Sequence, residues 1–586
     1  MKKKRKTPLP LHEQEKIKHI KLIRSVLDNI GFTHIPGIDH KEFTFKDRKG
    51  ELDDAFFFEN IVLLVEYTVS NPPGDHLKKK SLLFSRINED HLAFLKFIKE
   101  TPSLKSLNSG LVKIEEKYRL QEIQVRIVYA SKYELIDADK KLAPNTFFFD
   151  YDIVKYFDVI AKAIKKSTIY EFLAFLKVPH DKAGEKIKNS EDAASQTYIS
   201  VILPETKSYI VDGVKIVTFY IDAYSLLKRA YVLRNDSWHN EENIELFQRL
   251  LIPKKIKAMR EFLVDKKGVF INNIIVALST DDIKILDEKN NILNISDDGE
   301  IKGVSSKTIP AKILILDKTN TIGLVDGQHR VFAYHEGTDS YEPKIRELRK
   351  NQNLLVSGIL LPKRWSSEEK LRFQAKLFLE INSNQQGANS QLKQTIESIL
   401  SPLSVTSISK HIIEKLNQSG PLAHMFAMRL FDEHKIKFAS IISFALNILV
   451  RPKNPVGLFS IWNSARKNEL LQKPIDDALL AEYQDFCTEK IRDFLIAVRE
   501  NLPKEKWQFS APKSEGILNV TTINGMLNCI RDLIANNAVS DVSTYKKRLE
   551  HISDFKFKEY KSSQYRKMGH DLYNAFWGSN AKDSGE

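Results

Sequence analysis

The segment Gly50 to Thr68, GELDDAFFFENIVLLVEYT, constrains this chain more than any other. Two runs of strand formers, Leu52 to Phe58 and Ile61 to Val69, are separated only by Glu59-Asn60, which reads as a two-residue hairpin turn. Closing the hairpin there pairs Phe58 with Ile61, and counting outward sets Asp53 opposite Glu66 and Glu51 opposite Thr68. Facing residues have Cβ atoms roughly 5 Å apart, so the pairing gathers three carboxylates on one face. Like charges directly opposite each other destabilise a sheet. Glu66 also interrupts an apolar run, Ile61 to Val65, where an unpaired charge is costly to bury. Something positive is expected there. A divalent cation such as Mg²⁺, held by Asp53, Glu66 and Glu51 with waters, would relieve the repulsion and activate a water for phosphodiester attack. The plainer alternative is a solvated sheet edge, or ion pairs from Lys78, Lys79 or Lys80.

Around the hairpin, apolar positions Ile17, Ile20, Ile23, Val26 and Leu27 predict a helix that stops at Gly31. Strands are expected at Glu42 to Phe45 and Ile123 to Ala130, with a helix from Leu77 to Lys99 between the hairpin and the last strand. The order α-β-β-β-α-β, with GELD on one strand and VEYT on the next, resembles the restriction-endonuclease-like, PD-(D/E)xK nuclease fold. That resemblance implies metal binding by Asp53, the motif aspartate, and by Glu66, the acidic residue of (D/E)xK. The motif lysine falls on Thr68, which is a departure. Some members of the fold carry the lysine on the following helix, where Lys78, Lys79 and Lys80 stand here. If none of these reaches the site, the resemblance implies a domain that binds DNA without cutting it.

Residues 181–196 carry almost no large apolar side chain and read as a linker. The expected architecture is therefore α/β: an endonuclease-like domain over 1–180, an α+β domain over 197–400, and a mostly helical region over 401–586. Within the second block, strands are predicted at Lys215 to Ile221, Phe270 to Leu278, Ala311 to Leu316, Gly323 to Val325 and Leu354 to Leu361.

In that block, TIGLVDGQHRVFAYHEG reads as a strand ending at Val325, a tight turn at Asp326-Gly327, and a short helix from Gln328 to Glu336 closed by Gly337. Such a turn aims backbone N–H groups at one place, and Arg330 and His329 add a phosphate-binding fork and a titratable ring. The plainer reading has Asp326 capping the helix and Arg330 pairing a neighbouring acid. The string Asp326, Gly327, Gln328, His329, Arg330 spells the motif of the DGQHR-domain family, which includes the DNA-sulfur-modification regulator DndB and is related to the ParB and sulfiredoxin superfamily. An upstream Phe247-Gln248-Arg249 and a downstream FLEINSNQQGAN, Phe378 to Asn389, follow the family's order. The helix before the latter starts with Ser366 and Glu369 as a capping box. The resemblance implies a nucleotide or modified-DNA pocket with Arg330 and His329 on phosphate and Asp326 ordering the turn or a metal. Asn382, Asn384 and Gln385 would complete it, unless they merely cap a helix end. A nucleoside triphosphate is the implied ligand class.

Composition narrows the partners. Lys and Arg exceed Asp and Glu by 14, which suits a polyanion but is diffuse over 586 residues. Two cysteines, Cys487 and Cys529, stand without metal-ligand spacing, which excludes a disulfide framework or zinc finger as the organising feature. No apolar run reaches the roughly 20 residues of a membrane span. The basic start MKKKRK and the alternation of basic and aromatic residues in DFKFKEYKSSQYRKMGHDLY are candidate DNA contacts, or a disordered arm and an ordinary amphipathic helix. The expectation is a cytoplasmic protein of DNA defence or DNA modification, working on DNA with Mg²⁺ and with partner proteins of its operon. The alternative is a non-catalytic DNA-binding regulator of a DndB-like system.

Overall fold

The computed structural model describes residues 10–133, 135–188, 196–203, 211, 213–232, 251–296, 301, 309–316, 318–383, 394, 397, 400–401, 403–428, 435–472, 476–511 and 514–578. The chain is mixed α/β and divides into two compact units, Met1–Lys370 and Leu371–Glu586.

The first unit opens with α1 (Leu11–Ile30), which ends where expected: Gly31 adopts φ 110° and its N–H donates to the carbonyls of Leu27 and Asp28. Then follow β1 (Thr33–Ile35), the small hairpin β2 (Phe43–Phe45) and β3 (Arg48–Gly50), β4 (Asp54–Phe58) and β5 (Ile61–Thr68). Next come α2 (Gly74–Glu89), α3 (His91–Glu100), α4 (Lys105–Glu115), β6 (Gln124–Ser131), α5 (Asp137–Lys140), β7 (Thr146–Phe149), α6 (Tyr151–Ile164), α7 (Ile169–Phe175) and α8 (Glu185–Lys188). Five strands form one sheet in the order β1-β4-β5-β6-β7. Strand β4 runs antiparallel to β1 and β5, while β6 and β7 run parallel to β5.

Every residue of β5 is buried, as befits a central strand covered on both faces. On one side Val62 and Leu64 join a core with Leu77, Phe84, Leu95 and Leu111. The single helix expected over Leu77 to Lys99 is two helices. Asp90 breaks it with φ −154°, and its carboxylate accepts the Ala93 N–H at 2.9 Å as the cap of α3.

The first part of the segment read as a linker is folded onto this domain. Ala183 and Ile187 are buried, the Asn60 amide donates to the Lys182 carbonyl at 2.9 Å, and the Glu185 N–H donates to the Tyr118 hydroxyl at 3.0 Å. Two apolar residues at the right places, Ala183 and Ile187, suffice to dock a polar segment, which composition alone does not reveal. Residues 189–195 of that segment lie outside the described residues.

Nine further strands make the second sheet of this unit: β8 (Gln196–Leu203), β9 (Lys215–Asp222), β10 (Ala230–Val232), β11 (Ile274–Ser279), β12 (Ile283–Leu286), β13 (Ile292–Leu293), β14 (Ile309–Ile315), β15 (Ile322–Asp326) and β16 (Asn353–Leu361). Their order is β10-β15-β11-β16-β9-β8-β14-β12-β13. The two sheet-bearing parts of this unit are joined by polar contacts outside the sheets: the Glu336 N–H donates to the Ser167 hydroxyl at 2.9 Å, and the Asn320 amide to the Tyr170 carbonyl at 3.3 Å.

In the second unit, the described elements past residue 400 are helical, and helices Val405–Gln418, Asp477–Glu500, Val520–Ala535 and Tyr565–Trp577 enclose one apolar core. Cys487 and Cys529 are free and buried. The apolar residues of the basic C-terminal stretch are structural: Phe557, Met568 and Leu572 are buried, and Phe555 stacks on Tyr560. MKKKRK lies outside the described residues. Among the described residues no helix is long and apolar enough to cross a membrane.

Candidate functional site

The hairpin has the register its turn demands. Phe58 pairs with Ile61 and Asp54 with Val65, so the next facing pair outward is Asp53 and Glu66. Asp53 is fastened there by the backbone of β5, since the Tyr67 N–H donates to Asp53 Oδ2 at 2.8 Å. Glu51 lies beyond the ladder rather than opposite Thr68, because pairing begins at Asp54. Its carboxylate still adds to the negative field at Glu66. Thr68, at the position of the motif lysine, is buried and accepts the Ser70 N–H at 3.2 Å.

Of the three consecutive lysines, one reaches the site. Lys80 Nζ lies 2.7 Å from Glu66 Oε1 and donates to the Glu51 carbonyl at 3.3 Å. Lys78 points to Asp75 at 3.5 Å on the exposed side of α2, and Lys79 is exposed. Successive helical residues are about 100° apart, so only one of three neighbours can face a given strand. Lys16 of α1 adds a second cation, 3.6 Å from Asp53 Oδ1.

Two further groups belong to the site and were not anticipated. His76 sits one turn before Lys80 on the same helix face, with Nε2 3.7 Å from Glu66 Oε1 and Nδ1 3.0 Å from the Tyr129 hydroxyl. The i, i+4 spacing of His76 and Lys80 was the sequence signal for it. The other group is the clamp on Asp54. Strand alternation sends this carboxylate away from Asp53, into the interior, where it is 1 % exposed. Three donors satisfy it: Arg24 Nε at 2.7 Å, the Tyr67 hydroxyl at 2.9 Å, and His34 Nε2 at 2.6 Å. Two adjacent aspartates in a strand already implied that one must be buried and paired.

Electrostatics sharpen the picture. Burial, then the neighbouring Asp53 charge, push the Glu66 carboxyl up to about 8 against the opposing pull of Lys80. Burial and then Lys80 hold the His76 imidazole below its ordinary value, which favours the neutral ring. Glu66 Oε2 is buried with no hydrogen-bond partner. Among the described residues no three His, Cys, Asp or Glu side chains already converge as a cation cage. Yet an orphaned carboxylate oxygen within the field of a second carboxylate suits a hard cation that keeps most of its waters. The residues thus fit a Mg²⁺-type site in which Asp53 and Glu66 are the protein donors.

The DGQHR block forms the strand, turn and helix expected of it, with a different use of its side chains. Strand β15 ends at Asp326 and Gly327 turns with φ 94°; the helix Gln328–Phe332 is shorter than the reading to Glu336. Gly327 is required there, since a Cβ would stand 2.6 Å from Ile274 Cδ1 as well as at positive φ. Asp326 does not cap the helix. It accepts Arg330 Nη2 at 2.8 Å, while Arg330 Nη1 donates to the Asn272 and Asn273 carbonyls at 2.7 and 2.9 Å. The guanidinium thus pins the loop before β11 to the turn instead of standing open for a phosphate, and the plainer reading of Arg330 holds. His329 Nε2 accepts the Ile252 N–H at 3.1 Å. Gln328 is buried.

Behind the turn lies a charge cluster that sequence reading missed. Arg260, 1 % exposed, bonds Asp339 at 2.9 Å and Glu342 at 3.1 Å, and Arg349 bonds Glu342 at 2.9 Å. Burial, then Arg260, lower the enclosed His335 to about 4. Ser366 and Glu369 form the expected capping box, with reciprocal bonds of 2.7 and 3.2 Å. Asn382 lies within the helix Ser367–Ser383; Asn384 and Gln385, like Phe247 to Arg249, lie outside the described residues. Comparison of the chain with protein-family models, with curated proteins and with solved structures finds no match.

Proposed function

We propose that the N-terminal domain is a divalent-cation-dependent phosphodiester-cleaving module acting on DNA, with Lys80 in the role that the PD-(D/E)xK pattern would give to a lysine at position 68. The observation that carries this reading is the 2.7 Å contact between Lys80 Nζ and Glu66 Oε1, one residue pair across from Asp53. The strand order and the hairpin register support the same fold family. In this reading Asp53 and Glu66 hold a Mg²⁺-type cation, which when bound supplies a polarised water and positive charge beside the scissile phosphate. Lys80 would offset the charge developing on the phosphate oxygens, and the Tyr67 N–H keeps Asp53 facing the site.

The wider role, in DNA modification or defence with operon partners and with nucleotide or modified DNA sensed by the second domain, rests on the DGQHR resemblance. With Arg330 engaged by Asp326 and two carbonyls, a phosphate there would have to be held chiefly by backbone N–H groups. The test of the nuclease reading is conversion of supercoiled plasmid in Mg²⁺ or Mn²⁺ by the full chain and by Asp53→Ala. Scission by the wild type that falls at least a hundredfold in the variant is expected. Retardation of DNA with no scission by either protein would establish the non-catalytic regulator instead.

A further inference from the structure

The protonated nitrogen of His76 can be deduced from its neighbours. The Tyr129 hydroxyl has a single proton, and it donates that proton to the Pro73 carbonyl at 3.0 Å. Toward His76 Nδ1, 3.0 Å away, the phenol oxygen can only accept. Nδ1 therefore carries the ring proton and Nε2 presents a lone pair. That lone pair lies 3.7 Å from Glu66 Oε1, beyond hydrogen-bond length, on the side chain whose other oxygen is buried and unpartnered. Lys80 already holds Oε1, so the donors that a single cation could span are the Nε2 lone pair and the unpartnered Oε2 of the same carboxylate. The Tyr129 bond to Nδ1 is the outer-sphere contact that usually fixes a metal-binding imidazole.

We propose that His76 Nε2 is a nitrogen donor of the Asp53–Glu66 site, and that it makes the site select a first-row transition-metal dication, such as Mn²⁺ or Co²⁺, over Mg²⁺. This rests on the reading of that carboxylate pair as a cation site. Mg²⁺ is hard, prefers oxygen and dehydrates reluctantly, whereas an imidazole donor favours transition metals. Helix α2 delivers both His76 and Lys80 on one face, so the element that supplies the charge-offsetting lysine also sets the metal preference.

The test is Mn²⁺ and Mg²⁺ binding to the full chain by calorimetry, together with pulsed electron paramagnetic resonance of bound Mn²⁺. Wild type is compared with His76→Ala, His76→Gln and Asp53→Ala, each confirmed as folded by thermal unfolding. Expected are ¹⁴N modulation of bound Mn²⁺ in the wild type, its loss in both His76 variants, and a fall of about tenfold or more in the Mn²⁺ over Mg²⁺ affinity ratio. Tight Mn²⁺ binding that needs Asp53 but keeps the same ratio in the His76 variants overturns the inference and leaves the cation site standing. Binding that is absent, or unchanged in Asp53→Ala, overturns the cation site and the inference with it.

Discussion

Glu66 concentrates the cost of this site in one carboxyl. Its folded-state pKa, about 8, lies above the ordinary value of 4.5, so the fold favours the protonated form. The stabilisation that this gives is fully present below pH 4.5 and is lost as pH rises through 8. Metal-free protein is therefore expected to lose stability between pH 5 and 8.5, by roughly a few kcal/mol. Glu66→Gln, which cannot ionise, should remove most of that slope in urea unfolding at the two pH values. A bound dication reverses the sign, since it favours the carboxylate, so cation affinity should rise over the same window. Beside it, Asp54 shows how a buried charge is tolerated when its donors converge. Arg24→Met removes one of three and should cost about 1–3 kcal/mol, whereas Lys78→Ala, in an exposed pair with Asp75, should stay within about 0.5 kcal/mol.

At the level of elements, the turn at Gly327 and the two helices after β5 decide the arrangement. Gly327→Ala must accept a positive φ and displace the Ile274 side chain, so a loss on the order of 1–3 kcal/mol is expected by thermal or denaturant unfolding. Local features of this kind were legible in advance. Glu59-Asn60 left only one hairpin register, and that register alone brought Asp53 to Glu66. Gly31 ended its helix for the same local reason. What could not be read was the rotation of α2, because Lys78, Lys79 and Lys80 differ only in which way a helix placed by its core contacts turns them. The clamp of Arg24, His34 and Tyr67 on Asp54 was hidden because its members come from α1, β1 and β5, and sequence spacing carries no trace of such a meeting. The partners of Arg330 were hidden for a related reason: Asn272 and Asn273, whose carbonyls it holds, lie more than fifty residues away in the chain.

For the whole molecule, the charge excess of 14 becomes meaningful once it is set around an acidic pair. Lys16, Lys79 and Lys80 all act on His76, so positive charge rims the carboxylates that a polyanion could meet only across a cation. Retardation of duplex DNA by the full chain should weaken roughly tenfold or more between about 50 and about 200 mM salt. Binding that ignores salt would argue against phosphate contacts as its source. The second sheet's domain is fastened to the N-terminal domain, since its Glu336 N–H donates to the Ser167 hydroxyl.

Under the proposed function Lys80, not a residue at position 68, completes the cleavage site. The most direct measurement is the initial rate of plasmid scission in Mn²⁺ for wild type, Lys80→Ala and Lys78→Ala at equal, folded concentrations. Lys78→Ala is expected to match the wild type and Lys80→Ala to fall at least a hundredfold. Equal rates in wild type and Lys80→Ala would contradict it.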